Sequence, residues 1–305
     1  IIASKNDDTD IEYFDIKRNY QVRSLLAAIE VLYKREMITE DDCKTCFHNL
    51  RNFFFLFHSC SYTSNKTDKA IANAAFDVYH TKSEMDFKYV ISDVFRELSK
   101  FISSSTVDEL MFTTSSMHYS LKNSAYKSNH RIVKYILYCL YMPDQRDTVL
   151  DQSRLTIEHL LNDDGSVRNS SIYNLTLTSG EINSNELKNR GLVEKIGILK
   201  SRSSVIANQK LDEYLDAQGE YLEDKRKNDL KEQAISNVFK YEGSPFGYTK
   251  EMVDGYLKMK RALQSDEELL AVLLERGMNI QAYLSNNPAM QDAYNRFLTL
   301  CGTTS

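Results

Sequence analysis

Two groups of side chains in the chain of 305 residues have types and spacing suited to chemistry. The first lies in the stretch LTIEHLLNDDGSVRNSSIYNLTLTSGEINSNELKN, residues 155–189. It sets a carboxylate and an imidazole side by side at Glu158 and His159, with asparagine amides following at Asn174 and Asn183. Imidazole as a class exchanges protons with water near neutral pH, and carboxylate and amide oxygens are hard donors that suit Mg²⁺ or Mn²⁺. Such groups together suit metal-assisted hydrolysis: an activated water, neutralisation of developing negative charge, and stabilisation of a departing oxygen. The second group is Cys43-x-x-Cys46 with His48, His58 and Cys60, donor types that zinc accepts. On one continuous helix, however, Cys43 and Cys46 share a face and the later groups do not converge, which favours core thiols.

The elements that must position these groups are legible as periodicities. Val22, Leu25, Leu26, Ile29, Leu32 and Tyr33 recur at helical spacing. Thr39 with Asp42 marks the start of a helix that carries Phe53 to Phe57 inward. That aromatic run is read as helix packing, with stacking on an extruded base as the minor alternative. Further helices are expected around Ile71 to Tyr79, Phe87 to Phe101 and Ile132 to Tyr141. Pro143 and the polar run Asp144-Gln145-Arg146-Asp147 mark a boundary. Beyond it, Leu155-Thr156-Ile157 and Ile172 to Thr178 are short β-branched-rich segments, separated by the turn-like Asn162-Asp163-Asp164-Gly165-Ser166, and predict an antiparallel pair. Helical pattern resumes near Glu186, and Leu211, Tyr214, Leu215, Tyr221 and Leu222 predict one longer helix toward Tyr241. After Gly243-Ser244-Pro245-Phe246-Gly247 come further helices, one opened by Ser265 and Glu268 and one over Met278 to Leu300. The expected organisation is a helical domain over 1–145, a second domain over 146–242 that contains the strand pair, and a C-terminal helical extension over 248–305. The fold class is mainly α, a helical bundle with a small inserted ββα unit.

At Ile157-Glu158-His159-Leu160-Leu161, Asn174-Leu175-Thr176-Leu177, Ile182-Asn183-Ser184 and Lys195, the sequence resembles the HNH, or ββα-metal, nucleases. More closely, it looks like the C-terminal nuclease domain of the GmrSD-type, modification-dependent (type IV) restriction endonucleases. The resemblance covers about Asp151 to Tyr241 and, more loosely, the helices before it. Each residue alone is more simply a core histidine, a cap or a turn residue; the ordered set carries the likeness. The resemblance implies that His159 is the general base, that Glu158 and Asn183 hold one Mg²⁺ or Mn²⁺ ion, and that Asn174 braces the hairpin loop or orients His159. Leu161-Asn162 stands where the family commonly has a proline, and Tyr173 where it has a glycine. Neighbours in a regular strand face opposite ways, so Glu158 and His159 can serve one point only if the strand ends or bulges there.

The net charge is -5, yet between Glu186 and Lys210 six basic residues stand against two acidic ones. Lys188, Arg190, Lys195, Lys200 and Arg202 are therefore candidates to lie along a DNA backbone, with a solvated helix face as the alternative. Lys225-Arg226-Lys227 is offset by Glu223, Asp224 and Asp229 and carries less weight. Five irregularly spaced cysteines argue for free thiols in a reducing compartment. A start at Ile1 without a leader, and no apolar run of membrane-spanning length, predict a cytoplasmic protein without a membrane partner. The family's NTP-using N-terminal domain has no counterpart in these residues, so NTP dependence is expected only through a separate domain or subunit, with this chain the C-terminal part of a longer protein. The expected function is metal-dependent cleavage or nicking of modified or phage-derived DNA in defence against phage. The alternative is a helical DNA-binding or regulatory module without turnover, and a homo-oligomer stays open in either case.

Overall fold

The structure is a computed structural model that describes residues 9–60, 62, 64–145, 150–188 and 190–261. The helices expected from Ser265 and from Met278 lie outside these residues, as does Cys301.

Six helices come first: α1 (Thr9–Ile16), α2 (Arg23–Lys34), α3 (Glu40–Ser59), α4 (Asp68–Tyr79), α5 (Glu84–Ser99) and α6 (Ser104–Leu110). The expected start of α3 is a complete capping box, in which Thr39 Oγ1 accepts from Asp42 N–H and Asp42 Oδ2 accepts from Thr39 N–H at 3.1 Å. From that start the helical period turns Phe53, Phe54, Phe55 and Phe57 fully inward, and Phe55 stacks on Phe239 at 3.6 Å between ring centres. Burying each such ring contributes about 1.5–3 kcal/mol. Cys43, Cys46, Cys60 and Cys139 are buried and none is in a disulfide, and among the described residues no trio of His, Cys, Asp or Glu is placed to hold a metal.

A loop containing residues 118–123 leads through α7 (Ser124–Lys127) into α8 (His130–Tyr141). Then β1 (Leu155–His159) and β2 (Leu175–Ser179) pair antiparallel, with Ile157 opposite Leu177, Glu158 opposite Thr176 and His159 opposite Leu175. The short α9 (Val167–Ser170) sits in the connection between them. Leu155, Ile157, Leu175 and Leu177 pack into the same core as α3 and α8, so apolar contact runs unbroken past Pro143. The short α10 (Gly180–Ile182) continues into a π-helical turn over Asn183–Leu187, and α11 (Leu192–Arg202) follows. A smaller core of Leu160, Ile182, Leu187, Ile196, Leu199 and Leu211 fixes this segment to the end of the hairpin. The described residues are thus mainly helical, with a single two-stranded sheet, and no described helix is long and apolar enough to cross a membrane.

Two segments differ from expectation. Ile172–Asn174 forms a 3₁₀ turn ahead of β2, closed by Asn174 N–H donating to Ser171 O at 2.8 Å. The single long helix toward Tyr241 is instead a 3₁₀ run over Ile206–Tyr214, a tight turn, and α12 (Glu223–Gln233). Asp216 Oδ1 accepts from the backbone N–H groups of Gln218 and Glu220, and Gly219 takes φ +81°, which a side-chain-bearing residue rarely adopts. The turn brings Leu215 beside Tyr221, so the apolar residues that suggested one helical face come together across a turn.

Candidate active site

His159 closes β1 and is 8% exposed. Nε2 lies 3.0 Å from the Tyr119 carbonyl oxygen. A carbonyl only accepts, so Nε2 carries the hydrogen, and the single-hydrogen tautomer that makes this bond has its lone pair on Nδ1. The Tyr119 ring stacks on His159 at 5.9 Å and meets His130 edge-on at 5.1 Å. Burial holds His118 and His130 below the ordinary imidazole range, with Lys134 adding to the effect at His130. Both are therefore neutral at pH 7 and add no charge beside His159.

The loop after β1 is pinned from two sides. Asp163 accepts from Ser120 Oγ at 2.7 Å, from Leu121 N–H at 2.9 Å and from Gly165 N–H at 3.0 Å. Burial alone would raise its carboxyl; these hydrogen bonds and the nearby His159 outweigh that and hold it below the usual range. Asn123 Nδ2 donates to the carbonyl of Gly165, whose φ is +83°. Loop 118–123 and the post-strand loop are therefore one clasped unit.

From the other side, Asn174 spends its whole amide on the backbone. Its Oδ1 accepts from Leu161 N–H at 2.8 Å, and its Nδ2 donates to Leu161 O at 2.9 Å and Asn169 O at 2.7 Å. It thus braces the hairpin loop, with its amide oxygen and both amide hydrogens engaged by backbone groups. Asn174→Ala strands three backbone groups, and a loss of about 2–3 kcal/mol in urea unfolding is expected. Asn174→Asp keeps the acceptor for Leu161 N–H and should fall between that variant and the native chain.

Glu158 and His159 do not meet. The strand runs regularly to its end, so the two side chains leave it in different directions. Glu158, 8% exposed, gives Oε1 to Lys195 Nζ at 2.5 Å. Asn183 donates both amide hydrogens, to Thr156 Oγ1 at 3.1 Å and Ile157 O at 3.0 Å. These bonds fix its amide and leave Oδ1 as the acceptor that no described group engages. Among the described residues no hydrogen bond joins His159 to Glu158 or Asn183. Asp163 is an acidic residue close enough for His159 to contribute to holding its carboxyl low.

The basic strip is also arranged differently from a row of phosphate ligands. Arg190 pairs with Glu194, Lys200 with Asp212, and Arg202 with Glu186 at 2.6 Å. Lys195 is 3% exposed, and its ammonium is spent on Glu158 and on His159 O at 2.6 Å, so it does not face a backbone outside. Lys188 is exposed and has no ion-pair partner among the described residues. Exposed pairs are worth about 0–1 kcal/mol, so a phosphate can exchange with their carboxylates.

Tyr119, Ser120 and Asp163 were not singled out as site residues from sequence. Asp163 had a usable signal, an Asp-x-Gly turn four residues past the histidine; Tyr119, 40 residues upstream, had none. A cleft of about 630 Å³ lies elsewhere, lined by Asp10, Lys44, His48, Asn49, Lys240 and Glu242 among others. It contains none of the residues around His159. Comparison of the chain with family models, curated proteins and solved structures finds no match.

Proposed function

We propose that the chain is a phosphodiesterase of the ββα-metal type, cutting or nicking DNA with His159 as general base, and that its targets are modified or phage-derived DNA. The observation that carries this reading is the Nε2 bond to the Tyr119 carbonyl, which leaves Nδ1 as the ring's proton acceptor. The Asn174-braced loop holds that ring at the end of a strand–loop–strand–helix unit. His159 Nδ1 takes the proton of the attacking water as the oxygen–phosphorus bond forms and the bond to the leaving oxygen breaks. Asp163 places negative charge near the imidazolium that results.

Glu158 Oε2 and Asn183 Oδ1, oxygens without a described protein donor, are the hard donors this reading gives to a divalent ion. Glu158 leaves β1 on the side away from the His159 ring, so one phosphate would have to lie across the end of the strand to meet both. A bound Mg²⁺ or Mn²⁺ would neutralise charge on the phosphoryl and leaving oxygens. DNA backbone would be met by Lys188 and, after exchange of partners, by Arg190, Lys200 and Arg202.

A second reading, a helical DNA-binding or regulatory module without turnover, is favoured by the ammonium that neutralises Glu158. Incubation of the protein with modified and unmodified phage DNA in Mg²⁺ or Mn²⁺ separates the two. Cleavage that EDTA stops is expected; intact DNA retained in a gel shift would establish the binding module instead. An NTP-using partner domain and a cytoplasmic site of action belong to the same proposal.

A further inference from the structure

The Lys195 ammonium touches two oxygens, Glu158 Oε1 at 2.5 Å and His159 O at 2.6 Å, from a position 3% exposed on α11. Glu158 is the only carboxylate in the donor set of Glu158 and Asn183, and a carboxylate already matched by a buried cation has little net charge left for a second one. We propose that Lys195 is a built-in counter-ion that competes with the divalent ion for Glu158, so that metal is held weakly until the ammonium lets go. This rests on the assignment of Glu158 as a metal ligand in the nuclease reading. It gives Lys195 a task different from touching DNA: it keeps the carboxylate satisfied and ordered while no ion is bound.

The competing account is that Lys195 only orients Glu158, in which case its removal would loosen metal binding. Partners that orient ligands change metal affinity by about 10–100-fold, so the two accounts differ in sign by a measurable amount. The test is Mn²⁺ titration of the whole chain without DNA, read from the paramagnetic resonance of free Mn²⁺. Lys195→Met keeps the aliphatic stem and removes the charge. The expected result is Mn²⁺ binding at least about tenfold tighter than in the native chain, a Tm that Mn²⁺ raises more in Lys195→Met than in the native protein, and loss of both effects in Glu158→Gln. Affinity unchanged or weaker in Lys195→Met, or unchanged in Glu158→Gln, would overturn the proposal.

Leaving Glu158 buried and unmatched is costly, so Lys195→Met is also refolded with and without Mn²⁺, beside the neutral pair Glu158→Gln/Lys195→Met. A single variant that folds only with Mn²⁺, while the neutral pair folds without it, supports competition. A single variant that stays unfolded in both, while the neutral pair folds, refutes it. Cleavage of DNA by the native chain without an affinity gain in Lys195→Met would defeat this inference alone. A gain in affinity without any cleavage by the native chain would defeat the nuclease reading and leave the counter-ion in place.

Discussion

His159→Gln is expected to lower DNA cleavage by about 10²–10⁴-fold while leaving the fold intact, because a general base contributes about that much. Glutamine is the informative replacement. Its amide can still donate to the Tyr119 carbonyl, as Nε2 does at 3.0 Å, but it cannot take a proton from water at neutral pH. His159→Ala should lose activity equally and in addition orphan that carbonyl, at about 1–3 kcal/mol. Parallel cleavage assays and thermal melts therefore separate chemistry from structure. A His159→Gln protein that melts like the native chain and cuts within a few-fold of it would remove His159 from the reaction. Equal loss in both variants with only the alanine form destabilised is the expected pattern.

The sequence made the inward-facing side chains legible because burial imposes a period. The stripe from Val22 to Leu32, the box at Thr39 and Asp42 and the aromatic run of α3 all appear where the pattern puts them. The hairpin was legible for the same reason, with its turn residues in place at Asp163 to Ser166. What charge and aromatic content alone could not reveal is which polar groups are buried. Lys195 sits in a run of basic residues that reads as a surface, yet Glu158 and the end of β1 draw it inside. Tyr119 contributes a backbone carbonyl, and a carbonyl carries no residue signature at all. The segment from Leu211 to Leu222 keeps an apolar rhythm that suits either a helix or two arms of a turn, and the Asp216 carboxylate with Gly219 decides between them. Adjacent letters at 158 and 159 suggested one shared point, whereas the regular strand sends their side chains to Lys195 and Tyr119 respectively.

Arg226→Ala is expected to cost about 3 kcal/mol or more in urea unfolding, a large share of the about 5–15 kcal/mol that holds a domain together. In sequence Arg226 looks like one member of a solvated, charge-balanced run. In the fold it is 2% exposed on α12, and its Nη2 donates to Leu175 O at 2.8 Å and to Tyr141 OH at 3.0 Å. One guanidinium thereby ties α12 to α8 and to the first residue of β2. Its Cζ also lies 5.3 Å from the centre of the Tyr214 ring, and no carboxylate pairs with it among the described residues. Hydrogen bonds from a charged donor contribute about 1.5–3 kcal/mol each, and alanine removes both while leaving a void and an unpaired carbonyl. The Arg226→Lys variant keeps the charge but lacks the planar fork, so an intermediate loss is expected. Leu175 follows directly on Asn174, and the Leu175 carbonyl belongs to the strand that pairs with His159. Slackening it should therefore reduce cleavage in the fraction that remains folded, beyond the loss from unfolding alone. An Arg226→Ala protein within about 1 kcal/mol of the native chain would mean that the contacts to Leu175 and Tyr141 do not hold the hairpin, since two such bonds could not vanish unnoticed.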